Sequence, residues 1–423
     1  MSSVLGVLFL SLIILLLMGA PVAIALGLSA LLGMYFGEMS FMLLIQRLYN
    51  TFDAFPLLAV PFFVLAGDIM QKGTIANSLL GLCRTLIGHV RGGLGLISVT
   101  TCLFYGALSG SAPATTAAVG GIMIPAMDKD GYPRLYATAL NTAGGCLGVM
   151  IPPSVPLILY GSTVGCSISD LFIAGIVPGI LVGICFMVMA YVSACRNHWG
   201  TRQARASLWQ KLKATWDARW ALMVPVIVLG GIYGGILTPT EAGCVAVVYS
   251  LFVEAFITRS LTWKKLYDIF FASMRTTGAI FAIIATANAL SIVLVYYNTQ
   301  EILYNMIMGI SSSPIIILLV ISAILLLLGT FVETAVIILV MAPMLLPIAT
   351  AIDITPVQFG IFMLVLLATG FLTPPVGVNL FVGASVGNVS FSKLSAQCLP
   401  FCGVMILVGL AIGFFPKMVT FLL

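Results

Sequence analysis

The sequence predicts an all-α polytopic membrane protein made of two inverted-topology repeats, each of about five transmembrane helices plus one re-entrant helical hairpin. Three observations carry this expectation. Of 423 residues, 61% are hydrophobic and 7% charged, whereas a soluble domain is about 25% charged. Apolar stretches near the ~20 residues needed to cross a bilayer recur along the chain. Finally, one pattern occurs twice. A polar turn interrupts an apolar segment at Ser109-Gly110-Ser111-Ala112-Pro113-Ala114-Thr115-Thr116-Ala117 and again at Gly329-Thr330-Phe331-Val332-Glu333-Thr334-Ala335. Each is followed by a second break, at Pro152-Pro153 and Pro374-Pro375.

In order, the first half (1–200) carries spans near 3–18, 21–37, 55–72, 135–163 and 171–195. Residues 4–18 look like a signal-peptide core but lack a basic flank, so a retained first span is expected. Residues 41–51 mix apolar positions with Gln46, Arg47 and Asn50, which suggests an interfacial helix. Two shorter arms, 94–109 and 113–127, flank the first polar turn and predict a re-entrant hairpin near 94–127. A polar cytoplasmic connection, 201–218, leads to the second half (219–423). There, spans fall near 219–237, 241–258, 276–298, 357–387 and 400–423, with an interfacial stretch at 261–271. The second hairpin, near 314–349, has arms 314–328 and 334–349.

Pro21 and Pro239, Thr116 and Thr334, and Pro125 and Pro343 are each 218 residues apart, and Pro152 and Pro374 are 222 apart. Five crossings per half is odd, so the second copy enters the membrane upside down. With both termini outside, all of the eighteen Lys and Arg except Arg47 and Lys417 fall in inside loops, among them Arg202, Lys211, Lys213 and Arg275. That is the positive-inside bias.

Interrupted helices in corresponding positions of two halves point to the binding site of a secondary transporter, because freed backbone groups can hold ions at mid-membrane. Ser109 and Gly110 at the first tip, with Asn141, Gly144 and Gly145 in the broken span, would form one Na+ cage. Gly329, Thr330 and Val332, with Thr369, Gly370 and Thr373, would form its counterpart. A substrate site is expected between the tips. Helix N-termini there favour a carboxylate, with Ser109, Ser111, Thr116, Asn141, Ser154 and Glu333 as candidate ligands. An ionisable group at Glu333 costs about 2.5–3.5 kcal/mol at this depth, so it faces protein or a wet cavity, and binding a proton, bonding substrate hydroxyls and fixing the hairpin are all open to it.

Other features read more simply. Gly and Ser in membrane helices often serve close packing. Pro21, Pro239 and Pro343 are expected as kinks, and Glu241 as a helix-start acid. Asp68 and Glu254 lie near span ends, within reach of water. The nine cysteines read as small buried hydrophobes rather than disulfides or metal ligands. The net charge of +5 belongs to short loops rather than to a nucleic-acid-binding stripe. Both histidines, His89 and His198, fall in loops, so the tip serines lack an imidazole base and an intramembrane enzyme is disfavoured. No phosphate-binding loop marks an ATP-driven pump. Composition alone leaves a channel or a purely structural subunit open.

The motifs LSGSAPATTAAVG (108–120), NTAGGCLGVMIPPS (141–154), LTPTEAG (237–243), GTFVETAVIILVMAPMLLP (329–347) and TGFLTPPVGVNLFV (369–382) together resemble the large membrane subunit of tripartite ATP-independent periplasmic (TRAP) transporters. The similarity runs through nearly the whole chain. It implies Na+-coupled, elevator-type uptake of an organic acid across the bacterial inner membrane. The partners implied are a periplasmic substrate-binding protein and a separate small four-helix membrane subunit. C4-dicarboxylates, sialic acid and other sugar or keto acids are the substrates of this family. Sialic acid, with one carboxylate and many hydroxyls, best fits a site with few fixed cations. The acid at the second tip is more often Asp in the family, and Glu333 is one methylene longer. A stand-alone Na+/dicarboxylate symporter is the alternative.

Overall fold

The computed structural model describes residues 2–201 and 205–423. Among them every regular element is helical. The first half runs α1 (Ser2–Leu17), α2 (Val22–Phe36), α3 (Phe41–Thr51), α4 (Ala59–Lys72), α5 (Ile75–Ile87), α6 (Gly93–Ser109) and α7 (Ala112–Lys129). It continues through α8 (Arg134–Gly145), α9 (Leu147–Met150), α10 (Val155–Val164) and α11 (Ile168–Asn197). The second half comprises α12 (Leu208–Asp217), α13 (Arg219–Tyr233), α14 (Pro239–Phe252), α15 (Trp263–Tyr296), α16 (Thr299–Ile310) and α17 (Pro314–Phe331). It ends with α18 (Thr334–Thr350), α19 (Pro356–Gly370), α20 (Val378–Gly387), α21 (Phe391–Phe414) and α22 (Lys417–Thr420). Seven described segments are long and apolar enough to cross a membrane, or eight if the bent pair α12–α13 is one span.

The two broken segments form the centre. Residues Tyr136–Gly145 of α8 and Gln358–Gly370 of α19 are buried throughout, which lipid contact alone would not achieve. Around them α6 packs on α8, α9 and α11, and α17 on α19 and α21. Pairings that link the halves at the centre include α10 with α18 and α20 with α7, and α8 with α21 and α19 with α11. A second group of helices joins α4 to α14 and α15 to α2, with α4 also against α15. It meets the central group through α4 on α6 and α15 on α18.

Several expectations are refined. The interfacial stretch 261–271 is not separate from the following span. Both lie in the 34-residue α15, because no Gly or Pro breaks the chain between Phe271 and Thr276. The exposed Trp263, Tyr267, Phe271 and Met274 still give its start an apolar stripe at helical spacing. Pro21 and Pro239 are not kinks. Pro21 precedes α2 and Pro239 opens α14, positions where a missing N–H costs nothing. Pro343 does lie inside α18. Glu241 completes a capping box, its carboxylate accepting the Thr238 N–H at 2.8 Å. The last span begins at Phe391 rather than 400, and α5, α12 and α16 are additional helices. Cys244 is exposed rather than buried. Arg202 lies outside the described residues.

Glu254 also differs from expectation. It is fully buried and accepts the N–H groups of Thr74 and Ile75 at 2.7 and 2.8 Å. The hydroxyls of Thr74, Thr258 and Ser260 donate to it as well. The carboxylate caps the N-terminus of α5, where orphan N–H groups favour an anion.

Candidate functional site

The first tip forms because α6 cannot continue. Gly110 takes φ +58°, a left-handed conformation that costs a non-glycine residue about 1–2 kcal/mol. A Cβ there would also lie 2.8 Å from the Pro153 carbonyl oxygen, so the tip rests on the break in the α8–α10 segment. Ser111 is extended, and Pro113 stands in the first turn of α7. The Thr115 hydroxyl donates to the Ser111 carbonyl at 2.8 Å and lies 2.9 Å from the Ser109 hydroxyl. The Ser111 side chain makes no capping bond and is left for the cavity beside it.

The second tip repeats this logic. Val332 is extended, and Glu333 precedes α18 without using its carboxylate as a cap. The Thr330 carbonyl accepts the Val376 N–H at 3.1 Å, which joins this tip to the Pro374-Pro375 break. Gly329 and Gly370 meet backbone to backbone. A Cβ on Gly329 would fall 3.6 Å from Gly370 Cα, and one on Gly370 would collide with Gly329.

Both tips face one cavity of about 760 Å³. Its polar lining includes Ser109, Ser111 and Glu333 from the tips, Asp68 and Gln71 from α4, and Arg275 from α15. Ser273 donates to Asp68 at 2.6 Å. Glu333 and Arg275 are both exposed to the cavity. Among the described residues the only salt bridge is Arg134–Asp128, and neither the Glu333 carboxylate nor the Arg275 guanidinium has a hydrogen-bond partner. The cavity thus presents one unpaired cation and one unpaired acid.

Three expected substrate ligands lie elsewhere. Asn141 is fully buried, accepting from Ser98 at 2.7 Å and donating to the Ala137 carbonyl at 2.8 Å. Ser154 is fully buried and donates to the Val149 carbonyl. Thr116 is fully buried with its hydroxyl unpartnered, and it lies directly against Gly145. Gly144 packs on Cys102. In the second half, the Thr369 and Thr373 hydroxyls donate to the Val365 and Thr369 carbonyls at 3.1 and 2.9 Å, and the Thr330 hydroxyl to Leu327 at 2.8 Å. Each such hydroxyl keeps lone pairs that can coordinate a cation. Arg275 escaped sequence reasoning because it was counted with the loop cations. Its place in an unbroken helix starting at Trp263 was the missing signal.

Broken helices buried in protein and paired helix tips on one polar-lined cavity define a polytopic membrane permease. The chain belongs to a specific family of these: residues 9–418 match the model for the tripartite ATP-independent periplasmic transporter, DctM component. It is 40% identical over 407 residues to the isethionate TRAP transporter permease protein DctMQ of Oleidesulfovibrio alaskensis, covering 96% of this chain and 64% of that relative, just under two thirds of its length. It is 35% identical to the C4-dicarboxylate TRAP transporter large permease protein DctM of Vibrio cholerae serotype O1, covering 99% of this chain and 97% of that protein. With the sialic acid TRAP transporter large permease protein SiaM of the same organism the identity is 34%, over 88% of this chain and 87% of SiaM. Among solved structures, the Alcanivorax borkumensis YdaH transporter shares the fold, with a TM-score of 0.65, 14% identity and 89% coverage of each chain.

Proposed function

We propose that this chain is the membrane-crossing subunit of a Na+-coupled system that takes up a hydroxylated organic acid bearing one anionic group. The observation that carries the reading is that unpaired Arg275 and unpaired Glu333 line the same cavity as both tips. A guanidinium fork pairs with a carboxylate or sulfonate, and a carboxylate accepts from substrate hydroxyls. The N-terminus of α18, next to Glu333, adds the positive end of its dipole. Sialic acid and isethionate each combine one anionic group with hydroxyl chemistry. A C4-dicarboxylate would need a second fixed cation.

Na+ coupling draws support from the breaks themselves. Thr116 offers a buried, unpartnered hydroxyl against Gly145. Ser109 and Gly110 lie at the adjoining tip, with Asn141 and Gly144 in the broken span. The counterpart set is Gly329, Thr330, Val332, Thr369, Gly370 and Thr373. Repeat symmetry is supported by reciprocal packing. The pairs α4/α14 and α15/α2, α10/α18 and α20/α7, and α8/α21 and α19/α11 each exchange positions when one half is laid on the other. On this reading residues 1–200 and 219–423 are inverted repeats joined by 201–218, with both termini periplasmic. The hairpins move as an elevator against the α2, α4, α14 and α15 group. A periplasmic binding protein and a small membrane subunit complete the system in the inner membrane. Family membership disfavours the stand-alone symporter.

The test is uptake into proteoliposomes under an inward Na+ gradient, with the small subunit present and the binding protein added or omitted. Sialic acid, isethionate and a C4-dicarboxylate are compared. Uptake of a hydroxylated mono-anion that needs both Na+ and binding protein is expected. Na+-driven uptake indifferent to the binding protein would overturn the tripartite reading, and dicarboxylate preference would overturn the substrate class.

A further inference from the structure

The chain between the two halves carries a helix that the cavity does not use. In α12 the apolar residues Leu208, Trp209, Leu212 and Trp216 are all exposed, from 64% to 80%. At about 100° per residue these four fall within one arc of roughly 100°. Thr215 and then Lys211 flank the arc on one side and Lys213 on the other, while Gln210 and Asp217 lie opposite. Ala214 and the stem of Lys211 are half-buried, on the side of α12 opposite the apolar arc, and α12 packs on α5. The apolar face is therefore turned away from the protein.

Its surroundings say what it meets. The α12–α13 pair bends by 60° at Ala218, so with α13 crossing the bilayer, α12 runs strongly inclined to it, near the surface. The Arg219 guanidinium sits at the elbow, 4.4 Å from the Trp216 ring and 4.8 Å from the Trp220 ring, and donates to the Trp216 carbonyl at 2.6 Å. Tryptophans and stacked arginine at such a level match the interface between headgroups and acyl chains. Arg205, Lys211, Lys213 and Arg219 outnumber the single acid Asp217 over this stretch.

We propose that α12 is an interfacial helix whose apolar face enters one leaflet and whose lysines hold anionic phospholipid headgroups. The Leu and Trp side chains supply apolar burial, and the lysine stems lie along that surface with their ammonium groups at the phosphates. Charge makes the contact selective for anionic over zwitterionic lipid. Lipid bound here would brace the connection between the halves, independently of which solute the cavity carries.

The experiment uses the full chain in phosphatidylcholine nanodiscs containing phosphatidylglycerol, with bromine on the acyl chains of one lipid or the other. The emission of Trp209 and Trp216 is read as the difference between the native chain and the Trp209→Phe/Trp216→Phe variant. The expected result is stronger quenching, per mole of lipid, by brominated phosphatidylglycerol than by brominated phosphatidylcholine. That preference falls by about fivefold for each of Lys211→Gln and Lys213→Gln. Equal quenching by the two lipids, or none by either, overturns the proposal. So does quenching that disappears when the small membrane subunit is reconstituted alongside, which would assign the face to a protein partner.

Discussion

Ser273 donates a 2.6 Å hydrogen bond to the carboxylate of Asp68, tying α15 to α4 in the wall of the cavity. Lys72, one turn along α4, donates to the Asp268 carbonyl at 3.3 Å and adds a second link between the same helices. The wall that carries Arg275 is thereby held against the helix that abuts the first tip. Ser273→Ala is expected to lower unfolding stability by about 1 kcal/mol, as loss of one charge-assisted bond at a half-buried acid. A thermal unfolding series in detergent checks it, with unchanged stability as the contrary result.

Arg275→Ala should raise the substrate concentration for half-maximal uptake by about tenfold or more, the equivalent of one charged hydrogen bond. Arg275→Lys should recover part of the loss, since the charge returns without the planar fork. The check is initial-rate uptake across a substrate series. A purely structural arginine would instead reduce folded protein and leave the half-saturation concentration unchanged.

Glu333→Gln keeps a side chain that can accept from a hydroxyl, whereas Glu333→Ala does not. Uptake by the alanine variant should fall well below that of the glutamine variant, with the gap narrowing for a substrate analogue lacking hydroxyls. Equal loss for both substrates would remove Glu333 from hydroxyl recognition.

Glu254 should matter for folding rather than for substrate. Its carboxylate is fully buried and takes the Thr74 and Ile75 N–H groups, so Glu254→Ala strands buried donors and should cost about 3 kcal/mol. Glu254→Gln should also destabilise, because an amide NH₂ placed among donors cannot accept from all of them. Thermal unfolding reports the loss. In the protein that does fold, the half-saturation concentration should match that of the native chain.

Gly110→Ala combines a left-handed φ of +58° with a Cβ placed 2.8 Å from the Pro153 oxygen. Its expected effect is strong loss of uptake with much smaller loss of folded protein, since the strain is confined to the tip. Size-exclusion profiles beside uptake rates separate the two.

Much of the fold was legible because long apolar runs and Pro or Gly breaks report directly on the chain's local needs. A separate helix, Phe41–Thr51, falls where its mixed composition placed it, and both tips turn at the predicted residues. What stayed hidden was short or relational. Helices such as Ile75–Ile87 and Thr299–Ile310 lack a span-length apolar run, so they leave no mark on a transmembrane pattern. The fusion of 261–271 with the next span depends on an absent breaker, which is easily overlooked beside Lys264, Lys265 and Arg275. The place of Ser109, Ser111 and Glu333 in the cavity wall was legible because the tips themselves are. Asn141 and Ser154 lie away from the cavity. A polar residue in an apolar run needs a partner, and here the partners are Ser98 and backbone carbonyls rather than the cavity.

If one substrate is held between the two tips, it shields Ser111, and the alkylation rate of Ser111→Cys reads this in a chain whose nine native cysteines are replaced by alanine and which retains uptake. With Na+ present, substrate is expected to slow alkylation of this tip, and Glu333→Ala on the opposite tip is expected to abolish the protection. An alkylation rate indifferent to saturating substrate, in protein still competent for uptake, would place the substrate away from the tips.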